Sequence, residues 1–351
     1  MPDSSASRRT GILFGGIFRR VSPARICFRC KDGVVLEQKM NEMLYISAID
    51  GVTVQENLYD AISVGNGSFV TDQFGMIQNL LDDEWREQLG DFEQTRFRRA
   101  GLYIFGRWNG NEEEPDPYRL LSKWMYWNQR WLMNLWLIRD NAGSLSNGYS
   151  RSTTSPRLVI RPHFTYTDAG GMTFTGQSVL FTKEELEEAA GMLRFWKLEE
   201  SEASMKVVLK SADKRLARAD EFLQRARMTE EIEIKIAMYC TCLESLFTTS
   251  NHELRHQLSE RVTLFLGQNP TERLEIYSMM KTVYDVRSAV VHGGEVKEKY
   301  KGKTTADISK MCDQYVRQVF GKLYTELSGK LPSDLDSFFL EKIFGTKTHG
   351  D

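Results

Sequence analysis

Arg287 and His292 stand five positions apart in the segment YDVRSAVVHGG, immediately ahead of Gly293 and Gly294. A guanidinium offers paired N–H donors to phosphate or carboxylate oxygens, and an imidazole exchanges protons near neutral pH. The spacing alone is a weak motif, because chance would supply roughly 0.4 such pairs at this arginine and histidine content. A second pattern competes with it. HELRH, from His252 to His256, matches the arrangement in which two histidines one helical turn apart bind zinc and a glutamate activates water. Glu272 or Glu275 would then be the third ligand. Against that reading, Arg255 puts a charge where such sites carry an uncharged residue. Ser259 and Val262 also occupy the positions that the extended form gives to glycine and histidine. Cys27 and Cys30 make one CxxC with no second pair at zinc-ribbon spacing. Cys240 and Cys242, two apart on an expected helix, diverge by about 200° and do not chelate together.

The elements that carry these residues follow from periodicity. Between about residues 25 and 110, short apolar clusters (GVVL, MLYISAI, GVTV, GLYIFGRW) alternate with Gly, Asp and Asn, the pattern of strands and turns. One helix is expected in MIQNLLDDEWREQLGDF. The acidic, proline-bearing stretch NGNEEEPDP reads as a loop. Beyond it, Leu120, Trp124, Trp127, Trp131, Leu135 and Ile138 recur at helical spacing and predict a largely buried helix over 118–140. At that spacing the tryptophans read as core and not as a stacking platform for a base. Residues 141–156 read as a loop and 157–181 as a hairpin around Asp168, Gly170 and Gly171. After Phe181 the character changes. Thr182 and Glu185 form a capping-box pattern, no strand signal follows, and helices are expected at about 183–199, 202–227, 230–248, 253–267, 271–292, 304–328 and 333–343.

At 351 residues the chain is long enough for two cores. Hydrophobic content of 41% and charged content of 27% are those of an ordinary folded protein and exclude wholesale disorder. No apolar run reaches the ~18–20 residues of a spanning helix, so no membrane partner is expected. At the N-terminus, Arg19 and Arg20 stand where a signal peptide would carry small residues. Residues 1–10 therefore read as a disordered tip. Five cysteines, an odd number scattered along the chain, do not form a disulfide framework and point to a reducing cytoplasm. The net charge of −2 rules out nonspecific nucleic-acid binding by overall charge, which needs many phosphate contacts. Any RNA must meet a local patch.

CLESLF (Cys242 to Phe247), then HQLSERVTLFLG (His256 to Gly267), then MMKTVYDVRSAVVHGG (Met279 to Gly294) give the Arg–His pair a frame. Their order and spacing resemble the Apea-like HEPN family. In that family a Leu-Glu-bearing helix, an Arg-bearing helix and a Tyr-x-x-Arg-Ser-x-x-x-His-Gly helix follow one another. The resemblance covers roughly 140 residues and is strongest over 239–294. It implies an all-helical HEPN domain, here over 182–351; the strand and turn pattern ahead of it gives a mixed α/β domain over 11–181 that the resemblance does not cover, so an α+β chain. It also implies metal-independent RNA cleavage without a cofactor, in which a ribose 2′-hydroxyl attacks the adjacent phosphodiester to leave a cyclic phosphate and a free 5′-hydroxyl. A prokaryotic defence or toxin-like effector is the setting the family suggests.

Within that resemblance Arg287 and His292 are the catalytic pair. The arginine fork suits the extra negative charge of a pentacoordinate phosphate. The imidazole suits proton transfer between the 2′-hydroxyl and the 5′-oxygen. Ser288 and Asp285 are candidates to bond the phosphate or to orient Arg287. Two basic runs are available to guide an RNA backbone, although such runs are usually solvated faces. One comprises Lys206, Lys210, Lys214, Arg215, Arg218, Arg225 and Arg227. The other, Lys297, Lys299, Lys301 and Lys303, follows the motif directly and is preferred. Five helical residues turn through about 500°, so the Arg287 and His292 side chains leave the axis about 140° apart. Convergence needs either the long arginine side chain to reach around the helix or a second copy of the chain; the resemblance implies the second, a homodimer with both pairs lining one cleft. The N-terminal domain would hold a regulatory ligand or restrain the nuclease. Noncatalytic HEPN modules, which dimerise or bind ligands, are the other outcome the family allows.

Overall fold

The computed structural model describes residues 43–107, 116–152, 155–172, 178–192, 198–200, 207–209 and 214–345. The expected terminal tip, Cys27 and Cys30, most of the acidic loop, Lys206 and Lys210 lie outside the described residues.

MLYISAI is apolar at nearly every position, as befits a strand covered on both faces, and it forms β1 (Met43–Asp50). Tyr45 and Ile49 enter one core while Ile46 and Ala48 enter another, following the two-residue alternation of a strand. Next come β2 (Val52–Val54) and a hairpin of β3 (Ile62–Gly65) and β4 (Ser68–Thr71). The single helix expected over MIQNLLDDEWREQLGDF is divided into α1 (Phe74–Leu80) and α2 (Asp83–Arg99). Asp82 starts the second by accepting the Trp85 N–H at 2.9 Å. There follow β5 (Leu102–Arg107), the tryptophan-rich α3 (Pro117–Ile138), β6 (Ser144–Ser152) and β7 (Ser155–Arg161). The sheet is antiparallel with the order β3-β4-β5-β1-β6-β7. α3 packs Trp124, Trp131 and Leu132 on one face, and α1 and α2 pack Ile77, Trp85 and Phe97 on the other.

Two sequence expectations fail in this unit. Residues 141–156 were expected as a loop, yet β6 holds a central place between β1 and β7. Its Ser, Asn and Gly residues have little intrinsic strand preference, and pairing on both sides overrides that. Gly148 is suited to the site, because a Cβ there would lie 2.2 Å from the Met125 Sδ beneath it. The hairpin expected over 157–181 does not form either. β7 pairs with β6, and β8 (Val179–Phe181) runs parallel to β2.

The Thr182–Glu185 capping box is present, with Thr182 N donating to Glu185 Oε2 at 2.9 Å and Glu185 N to Thr182 Oγ1 at 3.3 Å. It opens α4 (Lys183–Met192). The helices expected over 183–199 and 202–227 are shorter than the periodicity indicated. α4 is described as far as Met192, and β9 (Leu198–Glu200) pairs antiparallel with β10 (Val207–Leu209) within the spans expected to be helical. The β-branched valines of KVVL favour that pairing. α4 buries Leu186 and Ala189 in the N-terminal core, so the helical bundle does not begin at residue 182. It begins with α5 (Lys214–Arg227) and continues through α6 (Ile232–Phe247), α7 (Leu254–Leu266) and α8 (Pro270–His292). A short hairpin, β11 (Lys299–Tyr300) and β12 (Lys303–Thr304), leads to α9 (Thr305–Thr325) and α10 (Leu335–Phe344). The protein is thus α+β with a helical C-terminal part. Among the described residues no helix is long and apolar enough to cross a membrane.

α3 joins the two parts. Its Met133 and Trp136 belong to the bundle core, and Trp136 Nε1 donates to Asp313 Oδ1 on α9 at 3.0 Å. Arg130 forms a bidentate pair with Asp220 on α5. The fully buried Arg227 donates to the Asn141 carbonyl at 2.7 Å, with its guanidinium 4.5 Å from the Tyr166 ring centre. The Lys235 ammonium reaches Thr167 Oγ1 and the Asp168 carbonyl. Burial and the neighbouring Arg227 lower its pKa to about 8.

Candidate functional site

α8 ends as its sequence predicts. Gly293 adopts the left-handed conformation at φ +68°, and Gly294 N returns to the Ala289 carbonyl at 2.8 Å. Val283 and Val286 are buried and set the rotation of the helix. Arg287 thereby faces α6, where Nη2 donates to Glu244 Oε2 at 3.1 Å. The arginine side chain is 18% exposed and the glutamate 11%. Leu243, Leu246 and Phe247 point into the core and leave Glu244 on the flank that meets α8. The Arg287 guanidinium lies 5.6 Å from the Tyr284 ring centre. Burial pushes the Glu244 carboxyl above the ordinary carboxylate range, and the Arg287 guanidinium opposes that rise.

His292 is exposed at the end of the same helix. Asp285 pairs with Arg255 of α7 at 2.8 Å, with both side chains partly exposed. Seven residues return almost to the same side of a helix, so Asp285 and His292 share a side of α8. Arg287 is turned about 200° from Asp285, and its ion pair lies on α6. One chain therefore does not bring Arg287 and His292 onto one face. Nor does Asp285 orient Arg287; Glu244 does, because it stands on the helix that Arg287 faces. Ser288 is half-buried.

Lys297, Lys299 and Lys301 are exposed on the segment after α8. Lys301 Nζ donates to Ser278 Oγ at 3.1 Å. Ser278 lies about 13 Å along the helix axis from Arg287. The hairpin thus carries Lys301 back along α8, away from Arg287 and His292. Adjacency in sequence misled here because the chain reverses direction after the Gly293–Gly294 stop.

The other basic run is better placed. An open groove of about 510 Å³ lies between α5 and α6. Lys214, Arg215, Arg218 and Phe222 line one wall, and Thr241, Ser245 and Thr248 line the other with Glu244. The partner of Arg287 is therefore part of the groove surface. Glu244 stood in the CLESLF segment without an assigned role. Its signal was a carboxylate on a helix otherwise rich in buried apolar residues.

HELRH does not form the two-histidine arrangement. α7 starts at Leu254, after Glu253 at φ +52°, so His252 precedes the helix. His256 lies within it, edge-on to Tyr277 at a centroid distance of 6.1 Å. Glu272 accepts the Gln268 N–H at 2.8 Å at the start of α8, about 20 Å from the start of α7 by helix length. Cys240, Cys242 and Cys312 are free and buried, and burial pushes all three thiols upward, the opposite of an activated nucleophile. Compared with protein-family models, curated proteins and solved structures, the chain has no match.

Proposed function

We propose that the protein is a metal-independent endoribonuclease of the HEPN type, acting as a homodimer in the cytoplasm, with Arg287 and His292 as its catalytic pair. The observation that carries this reading is the end of α8. Within its last two turns a guanidinium braced by Glu244 and an exposed imidazole are held on a helix fixed by buried Val283 and Val286. Val291, beside His292, is 54% exposed, an apolar contact suited to a second copy. Across a two-fold axis, Arg287 of one chain and His292 of the other would flank one phosphodiester.

In the reaction the 2′-oxygen bonds to phosphorus and the bond from phosphorus to the 5′-oxygen breaks. His292 takes the 2′-hydroxyl proton and passes it to the departing 5′-oxygen, leaving a cyclic phosphate and a free 5′-hydroxyl. Arg287 balances the added charge on the phosphoryl oxygens. A prokaryotic defence or toxin-like role would join such a nuclease to an N-terminal unit that senses a trigger or restrains it.

The test is cleavage of mixed cellular RNA by the purified chain in EDTA, with the product ends mapped, for wild type, Arg287→Ala and His292→Ala. EDTA-resistant cutting with cyclic phosphate ends, lost in both variants, is the expected result. Cutting that requires a divalent metal, or that survives in both variants, overturns the assignment. Sedimentation tests the shared site, because a monomer that cuts RNA contradicts it. A second reading, a noncatalytic HEPN interaction or ligand-binding module, is favoured by the pairing of Arg287 with Glu244, which gives the guanidinium a partner within the fold without any substrate.

A further inference from the structure

We infer that the groove between α5 and α6 holds single-stranded RNA by its phosphate backbone and leads it to Arg287. The inference rests on the ribonuclease reading above for its direction, and its chemistry is read from the groove itself. Lys214 and Arg218 are one helical turn apart, both exposed, and neither forms an ion pair among the described residues. Arg215 is held in place, donating from Nη1 to the Thr248 carbonyl at 2.6 Å. There its positive charge offsets the negative end of α6, which would otherwise repel an anion. Glu244 is the one carboxylate lining the groove among the described residues, and Arg287 already balances it. Three cations and one carboxylate line the groove, a local basic patch in a chain whose net charge is −2.

Phe222 distinguishes this groove from a simple anion patch. It follows Lys214 and Arg218 at the same four-residue interval, half-buried and lining the groove. Cations that track a backbone beside an aromatic face that stacks bases form the usual surface for single-stranded nucleic acid. A duplex keeps its bases stacked on one another and cannot offer one to Phe222. Lys214 and Arg218 thus supply affinity, Phe222 selects an unpaired strand, and the Glu244–Arg287 pair marks where the strand meets the catalytic arginine.

The test is binding of the full-length chain to a labelled 2′-O-methyl oligonucleotide, followed by fluorescence anisotropy over a series of salt concentrations in EDTA. This strand lacks the 2′-hydroxyl nucleophile and reports binding without cleavage. The double charge reversal Lys214→Glu/Arg218→Glu is expected to weaken binding by about 10- to 100-fold. It should also reduce the slope of log affinity against log salt by about 1.4, from ~0.7 per phosphate contact on single strands. Both side chains are exposed, and an unchanged thermal melt confirms the fold. Phe222→Leu keeps the apolar packing, removes the aromatic face, and is expected to weaken the single strand about fivefold or more with the salt slope unchanged.

The inference is overturned if the wild type does not bind the strand, or if the double variant binds as tightly as wild type. It is also overturned if an RNA duplex or inorganic polyphosphate binds as tightly as the single strand, or if an acidic peptide does. Groove-dependent binding by a chain that never cuts RNA would sink the ribonuclease reading and leave the groove standing. Undiminished cutting by the double variant would do the reverse.

Discussion

Arg287 on α8 meets Glu244 on α6 through one hydrogen bond of 3.1 Å, while Arg287 Nε and Glu244 Oε1 are buried without a hydrogen-bond partner among the described residues. A paired guanidinium and carboxylate with one donor and one acceptor left over is an incompletely satisfied arrangement. It braces the arginine and leaves it capacity to bond a further group. Removing either partner leaves the other charge largely buried, which is more destabilising than losing the pair together.

A double-mutant cycle on this pair follows directly. Glu244→Gln and Arg287→Met, alone and combined, should show a coupling of about 1–3 kcal/mol in urea unfolding. A coupling near zero would mean that the pair contributes nothing to the fold, and would remove the support for the noncatalytic reading.

The three histidines of this region separate the two chemistries. His292→Ala is expected to lower RNA cleavage by about 10²- to 10⁴-fold, the usual contribution of a proton-transfer group. His252→Ala and His256→Ala should leave the rate within about twofold of wild type, since neither shares a site with Arg287. Cleavage assays decide this, and loss of activity in His252→Ala would revive the metal-dependent reading.

Gly171 tests the junction between the sheet unit and the bundle. Its φ is +78°, and a Cβ there would lie 2.3 Å from the Glu230 carbonyl oxygen, a backbone atom that cannot swing aside. Gly171→Ala should destabilise the chain by about 2–4 kcal/mol, combining left-handed strain with overpacking. A single calorimetric transition shifted downward is expected. Two transitions, with the bundle unaffected, would show that the parts fold independently. Deletion of residues 1–181 is a poorer probe of regulation, because it removes Met133 and Trp136 from the bundle core.

Asp140 gives a pH dependence. Burial and the like charge of Asp313 raise its pKa to about 6, against the opposing Ala169 N–H, Arg227 and Arg317. A carboxyl raised in the folded state favours folding below its unfolded value near 4 and loses that contribution as pH rises through about 6. Asp140→Asn removes the titration. The stability of the variant relative to wild type should therefore rise between pH 4 and pH 7, by about 1–3 kcal/mol. A pH-independent difference in denaturation midpoints would refute the shift.

The sequence by itself determined the elements whose signal is local. The tryptophan stripe fixed α3 as a buried helix, Thr182 with Glu185 fixed the start of α4, and Gly293–Gly294 fixed the end of α8. Each is read from spacing, capping or backbone freedom within a few residues. Helical geometry also gave the divergence of Arg287 from His292 before any contact was known. Only the tertiary structure made SLSNGYSRS a central strand, since its pairing partners Met43–Asp50 and Ser155–Arg161 supply what its own residues lack. Only the tertiary structure set Glu244 against Arg287 across 43 positions, carried Lys301 away from the motif, and brought Lys214 and Arg218 into one groove with Glu244. Ion pairs and grooves are made by the packing of separate helices, and nothing in local spacing records which flank of one helix will meet another.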